Sequence, residues 1–246
     1  MRRTASGRVE FIPAEAAAAL VADGDTVGIE ASGGGVLEPD ALLRALGERF
    51  RATGTPRGLT LFFCSGIGDG AGGGVDHLAD PVLVRRMIGA HFRLSPAIAE
   101  LAENGKIEAY NFPQGVLAQL LREIGAGRPG LITKTGMGTF VDPRRSGGKV
   151  NLQTSEDRVD LITIDGEEWL RYRPVRFDVM FLRGTTVDGD GNLSAEREAA
   201  RLSLTSAAIA ARNTGATVVV QAQRRTVGSM NPRAVVVPGH LVDYVV

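Results

Sequence analysis

One cysteine, three histidines and one tryptophan are all that the 246 residues contain of those types. The lone Cys64 has no partner for an internal disulfide. It follows the apolar run Leu59-Thr-Leu-Phe-Phe, which favours a buried structural thiol over a nucleophile. His77, His91 and His240 are scattered without metal-ligand spacing, and structural or surface roles are expected for each. There is also no charge of one sign to spare. Lys+Arg and Asp+Glu each number 28, for a formal net charge of +0. That argues against a general nucleic-acid or anionic-membrane surface and leaves only a local basic patch open. No apolar run approaches the ~20 residues of a membrane span, and the amino-terminal Met1-Arg-Arg-Thr-Ala-Ser-Gly has no apolar signal core. A cytoplasmic chain is expected.

What is present is a globular mixture, 43% hydrophobic and 23% charged. It is long enough to bury a full core. Short β-rich runs alternate with amphipathic helical runs. Helices are predicted over Pro13 to Val21, Pro39 to Phe50, Asp80 to Met87, Pro96 to Leu101, Val116 to Ile124 and Arg201 to Arg212. Strands are predicted at Val27 to Ile29, Leu59 to Cys64, Ile107 to Tyr110, Phe177 to Leu182 and Thr217 to Gln221. Between them, Gly130 to Asp157 is rich in glycine and turn residues. The Val159 to Tyr172 stretch reads as a hairpin turned at Asp165-Gly166. The fold class follows: α/β, a mainly parallel sheet flanked by helices, with a small antiparallel insertion. No linker divides residues 1–246. The carboxy-terminal Val235 to Val246 reads as an apolar strand pattern. Left unpaired, it would be an aggregation hazard, so a covering partner or a longer chain is expected.

Five motifs invite a chemical reading. Gly33-Gly34-Gly35 lies between a strand and a helix opened by Glu38-Pro39. Such glycines bring backbone N–H groups near an anion, or simply make a tight turn. Gly68, Gly70 and Gly73 formally satisfy G-x-G-x-x-G, but no helix starts there and the later acidic residue is missing, so a dinucleotide site is disfavoured. Asp188-Gly-Asp-Gly-Asn192 begins like a calcium loop. Leu193 and Ala199 stand where that loop needs Gly and Glu, so it reads as a turn. Pro113 fits a first helical position, which leaves Gln114 at a helix mouth, where a neutral amide can donate to a carbonyl or carboxylate oxygen. Thr135-Gly-Met-Gly-Thr139 is a loop whose glycines either admit a ligand or merely satisfy the backbone.

Taken in order, these segments resemble one family over nearly the whole chain. The likeness runs from the Gly33 loop through Asn111-Phe-Pro-Gln-Gly115, Thr135-Gly-Met-Gly-Thr-Phe-Val-Asp-Pro143 and Ile164-Asp-Gly-Glu-Glu-Trp169. It continues through Leu182-Arg-Gly-Thr-Thr-Val-Asp-Gly-Asp-Gly-Asn192, Gly228-Ser-Met-Asn-Pro-Arg233 and Val237-Pro-Gly-His-Leu-Val-Asp243. It is similar to the amino-terminal, α-type half of a family I coenzyme A transferase, of the acetate/propionate (short-chain acyl) kind.

That resemblance implies a ping-pong reaction between acyl-CoA and short-chain carboxylates. CoA is a substrate in it and no cofactor is expected. A glutamate carboxylate attacks the thioester, and an acyl–glutamyl anhydride and then a glutamyl-CoA thioester form. Each step passes through an oxyanion that needs fixed donors. The resemblance places that glutamate in a second half or β subunit, beyond Val246. Glu30 and Glu38 match no nucleophile motif and read as polar or capping residues. Gln114 and Gly115, the Gly33, Gly34 and Gly35 loop, and Gly136, Met137 and Gly138 are the candidate substrate-binding residues. A homo-oligomer is expected, in short-chain fatty acid or ketone body metabolism. A non-catalytic binding or assembly module and a sugar-phosphate isomerase-like enzyme are the rival readings.

Overall fold

The computed structural model describes residues 9–246, so the Met1–Gly7 segment read above for a signal lies outside the described residues. The chain begins with β1 (Glu10–Phe11), α1 (Ala14–Ala19), β2 (Thr26–Ile29), α2 (Asp40–Thr53) and β3 (Leu59–Phe63). β4 (Val84–Gly89), α3 (Pro96–Glu103), β5 (Glu108–Asn111) and α4 (Gln114–Gly125) follow. Then come β6 (Leu131–Thr133), β7 (Val159–Ile164), β8 (Glu167–Tyr172), β9 (Val179–Val187) and β10 (Leu193–Ser194). α5 (Leu204–Thr214), β11 (Thr217–Arg225), β12 (Val235–Val237) and β13 (Tyr244–Val245) complete it.

The main sheet runs β1-β13-β11-β9-β2-β3-β4-β5. Every pair along that path is parallel. Only β10 joins antiparallel, to β9 and β12. A parallel strand is covered on both faces and is therefore apolar throughout rather than alternating. β3 is such a strand, buried at all five positions. Its side chains serve two layers. Phe62 joins α4, α5 and the small sheet on one face, while Leu61 and Phe63 join α1, α2 and α3 on the other.

β6, β8 and β7 form the separate antiparallel sheet. Ile164 pairs with Glu167, so the loop has two residues, Asp165 at φ 51° and Gly166 at φ 81°. Two consecutive positive φ values are what a two-residue hairpin turn of matching twist requires, and Asp-Gly supplies them.

Two expectations are corrected. Asp80 to Met87 is not a helix: the Asp80 carboxylate accepts from the N–H groups of Val82 and Leu83, and the chain then extends as β4 beside β3. An aspartate caps a turn with the same local bonds it uses to cap a helix. The carboxy-terminal apolar run is not an unpaired strand either. It divides into β12 and β13 around a 3₁₀ turn at Gly239–Leu241, and β13 is paired on both sides, with β1 and β11. Among the described residues no helix is long and apolar enough to cross a membrane.

Candidate active-site edge

Parallel strands that end together put their following loops along one edge, where open α/β sheets take ligands. The Gly33–Gly35 loop follows β2 and is pinched shut by the Ser32 N–H donating to Val36 O at 2.9 Å. Gly34 and Gly35 have φ 78° and 84°. The Gly34 N–H donates to Gly68 O at 3.1 Å, which ties this loop to the one after β3. Side-chain hydroxyls reinforce the tie: Ser32 Oγ and Ser65 Oγ lie 3.1 Å apart.

Acidic residues brace these loops from beneath. Buried Glu38 accepts from the Gly68 N–H at 3.3 Å, and burial pushes its carboxyl pKa up. It does not cap α2, whose first turn follows Pro39 without a side-chain cap. Asp40 accepts from the Gly74 N–H at 3.0 Å and lies 2.9 Å from His77 Nε2. His77 thus holds the second loop to α2.

Glu30, at the carboxyl end of β2, is the least expected member. Its Oε1 accepts from the Ser203 N–H at 2.8 Å, at the start of α5. The carboxyl lies beside the Cys64 thiol, and its Oε2 is buried without a hydrogen-bond partner among the described residues. Burial raises this carboxyl to about 7. The buried Cys64 thiol is pushed well up by burial and then by the nearby Glu30 charge, so a reactive thiolate is not its resting form.

Gln114 is the first residue of α4, with Pro113 just outside the helix rather than in it, and its side chain is exposed at the carboxyl end of β5. A side chain on Gly115 would meet open space. The Gly136-Met137-Gly138 turn belongs to the small sheet. Gly138 N–H donates to Asp142 Oδ2 at 2.8 Å, and Tyr172 Oη donates to Thr135 O at 2.8 Å. Arg144 holds the Asp142 carboxyl well below the usual range. Tyr172 packs edge-on against Phe112, ring centroids 5.5 Å apart. Asn111 N–H donates to Gly148 O at 2.8 Å. The third loop is therefore anchored at the end of β5, three residues before Gln114. Gly33–Gly35 is instead joined to the Gly68 loop.

At the far side of the same edge, beyond β9 and β11, lies an open cavity of about 550 Å³ lined by residues including Asp190, Arg225 and Gly228. The Asp188 carboxylate is filled, accepting from the N–H groups of Asp190 and Asn192 in its own turn and from Met230 in the segment after β11.

Sequence reasoning missed the Glu30 cluster and the place of His91. The His91 ring, two residues past β4, lies directly over Gly66, where any Cβ would fall inside the imidazole. Gly66→Ala should therefore cost stability, about 1–2 kcal/mol, low in the range for overpacking because the ring can swing outward. Chemical denaturation checks this, and an unchanged midpoint would show that Gly66 is not a required gap.

A mainly parallel sheet with glycine loops and polar side chains gathered at its carboxyl edge defines an α/β protein of the kind that takes ligands at that edge. The chain belongs to the coenzyme A transferase family, whose model matches residues 12–246. It is 41% identical to the acetate CoA-transferase YdiF of Escherichia coli K12 over 98% of its own length and 46% of that protein. It is 43% identical to the caffeate CoA-transferase of Acetobacterium woodii, over 96% of this chain and 45% of that one. The crystal structure of acyl-CoA transferase YdiF from Escherichia coli O157:H7, a thioester complex with CoA, superposes with a TM-score of 0.94 at 41% identity. It covers 98% of this chain and 47% of that chain. The chain thus spans about half the length of the curated relatives it matches.

Proposed function

We propose that this chain is the amino-terminal half of an acyl-CoA:carboxylate CoA-transferase acting on short-chain acids, and that a second half or β subunit supplies the nucleophilic glutamate. The observation that carries this reading is its match along 98% of its length to 46% of an acetate CoA-transferase. A carboxyl edge built of glycine loops and neutral donors supports it.

In the proposed cycle the glutamate carboxylate attacks the thioester carbonyl and CoA thiolate leaves. The thiolate then attacks the glutamyl carbonyl of the mixed anhydride, which expels the first carboxylate. The acceptor carboxylate attacks the glutamyl-CoA carbonyl, and the returning thiolate takes the new acyl group and frees the glutamate. Each attack makes a tetrahedral oxyanion. On this side of the cleft Gln114 is the proposed polar contact, with the Gly33–Gly35 and Gly136–Gly138 loops shaping the pocket. The complete enzyme is proposed to be a homo-oligomer.

The test is exchange between acetyl-CoA and propionate by the complete protein, this chain with its second half. Parallel double-reciprocal lines are expected for a ping-pong cycle. Absence of exchange across a panel of short carboxylates overturns the reading. Within that protein, Gln114→Ala should lower kcat/KM about ten- to a hundred-fold, the loss of one hydrogen bond to a charged acceptor. Its melting midpoint should stay put, because the side chain is exposed. Unchanged kinetics would remove Gln114 from the site and leave the family assignment untouched.

A further inference from the structure

β2, β3, β4 and β5 lie side by side in the sheet, in that order. Within three residues of each strand's last position stands a side chain that hydrogen-bonds without a fixed charge: Ser32, Ser65, His91 and Gln114. The two serines are spent on each other. Gln114 is exposed. His91 is half-buried, and its ring has no hydrogen-bond or ion-pair partner among the described residues.

Packing does not account for an imidazole at this place. The apolar demand of the turn is met by the next residue, Phe92, whose ring lies 6.0 Å from that of Phe63 within the α1–α3 layer. Nor does His91 brace a loop as His77 does through Asp40. Instead the loop after β3 is bare at Gly66 to admit the ring, and Leu94 overhangs Gly33 in the same way. A half-exposed imidazole held against a bare backbone, with its nitrogens uncommitted, keeps its hydrogen-bonding capacity for something outside the protein.

We propose that His91 is a substrate contact, donating a ring N–H to an oxygen of a small carboxylate or of its CoA thioester bound between the loops after β3 and β5. The proposal rests on reading this edge as the acyl site. It adds His91 to the groups that touch the reacting carboxyl, beside Gln114.

The ¹⁵N-labelled chain, titrated with sodium butyrate and separately with acetyl-CoA, reports this directly. Its three imidazoles are assigned with His77→Gln, His91→Gln and His240→Gln. The expected result is a saturable shift of the His91 ring signals with either probe, while those of His77 and His240 stay still. His91 signals unmoved by both probes overturn the proposal, whatever other resonances do.

In the complete protein, His91→Phe keeps a flat ring over Gly66 and loses the donor, so kcat/KM should fall about ten- to a hundred-fold. His91→Gln, which restores a neutral donor, should recover part of it. A role in packing alone predicts the reverse order, with Phe tolerated and Gln damaging, and that outcome also overturns the proposal. Failure of the enzyme reading is separable: a His91 shift without acetyl-CoA:propionate exchange would keep the carboxylate site and reject the reaction.

Discussion

Purified alone, the chain is expected to give no exchange between acetyl-CoA and propionate, and addition of its second half should restore it. The proposed cycle needs a free carboxylate that can reach the thioester, and the acidic residues that brace the edge loops are committed to backbone N–H groups, Asp69 among them, on Ala71 and Gly73. Glu30 is buried with one oxygen on Ser203 N–H, and Glu38 is buried and holds the Gly68 N–H. Asp40 is occupied by Gly74 N–H and His77. Removing a covalent nucleophile removes the route and not merely one contact on it, so the expected loss is the whole of the activity. A joined half would also hold its carboxylate at the cleft at high effective concentration. Robust exchange by the 246-residue chain, free of any second polypeptide, would reject the division of labour proposed here.

Glu30→Gln should flatten the fall in stability between about pH 4.5 and pH 7. The carboxyl sits at about 7 in the fold against 4.5 for a free glutamate, chiefly because burial opposes its charge. The folded chain therefore holds this proton over a range in which the unfolded chain has released it. The contribution is fully present below the unfolded value and is lost as pH rises through the folded one. A shift of that size corresponds to a loss of about 3 kcal/mol. Glu38 is raised in the same sense, but it remains in both proteins and cancels in the comparison. Glu196, lowered to about 2, and Asp160 contribute oppositely, losing stability only as pH falls below the ordinary carboxylate range. Urea unfolding at pH 4 and pH 8 should find the two proteins nearly equal at the lower pH. At the higher pH the variant should be more stable by up to about 3 kcal/mol. Parallel pH dependence of the two proteins would show that Glu30 does not titrate there.

Much of the architecture was legible because each strand and helix carried a local signature. Leu59–Phe63 is too short for a helix and apolar on both faces, Asp165-Gly166 is a hairpin turn, and α2 and α4 have helical spacing. β4 was misread because Val82, Leu83, Val84, Met87 and Ile88 satisfy a helical stripe as well as a buried strand. Its register beside β3, a non-local fact, decides the matter. The pairing of β13 was hidden for the same reason, since an apolar run looks alike at an edge and in the interior.

At the site, the loops and Gln114 were visible as breaks between periodic segments. The Glu30–Ser203 bond joins residues 173 positions apart, and nothing local to either announces it. His91 had no motif around it. Its position over Gly66 exists only once β3 and β4 are side by side.

The insertion of β13 between β1 and β11 bears on the order of assembly. Glu10 N–H donates to Asp243 O and Ile12 N–H to Val245 O, so β1 has its place in the sheet only through β13. A segment from near residue 10 must wait for one from near residue 245. Contacts of such separation form late, because the loop entropy is lost before any pairing offsets it. The β2–β5 side can zip from neighbours in sequence, whereas the β1–β13 seam, a pairing of far greater separation, is expected to close later. The proposed ligand edge over β2–β5 therefore belongs to the part of the sheet built from neighbours in sequence, with β9 and β11 between it and that seam.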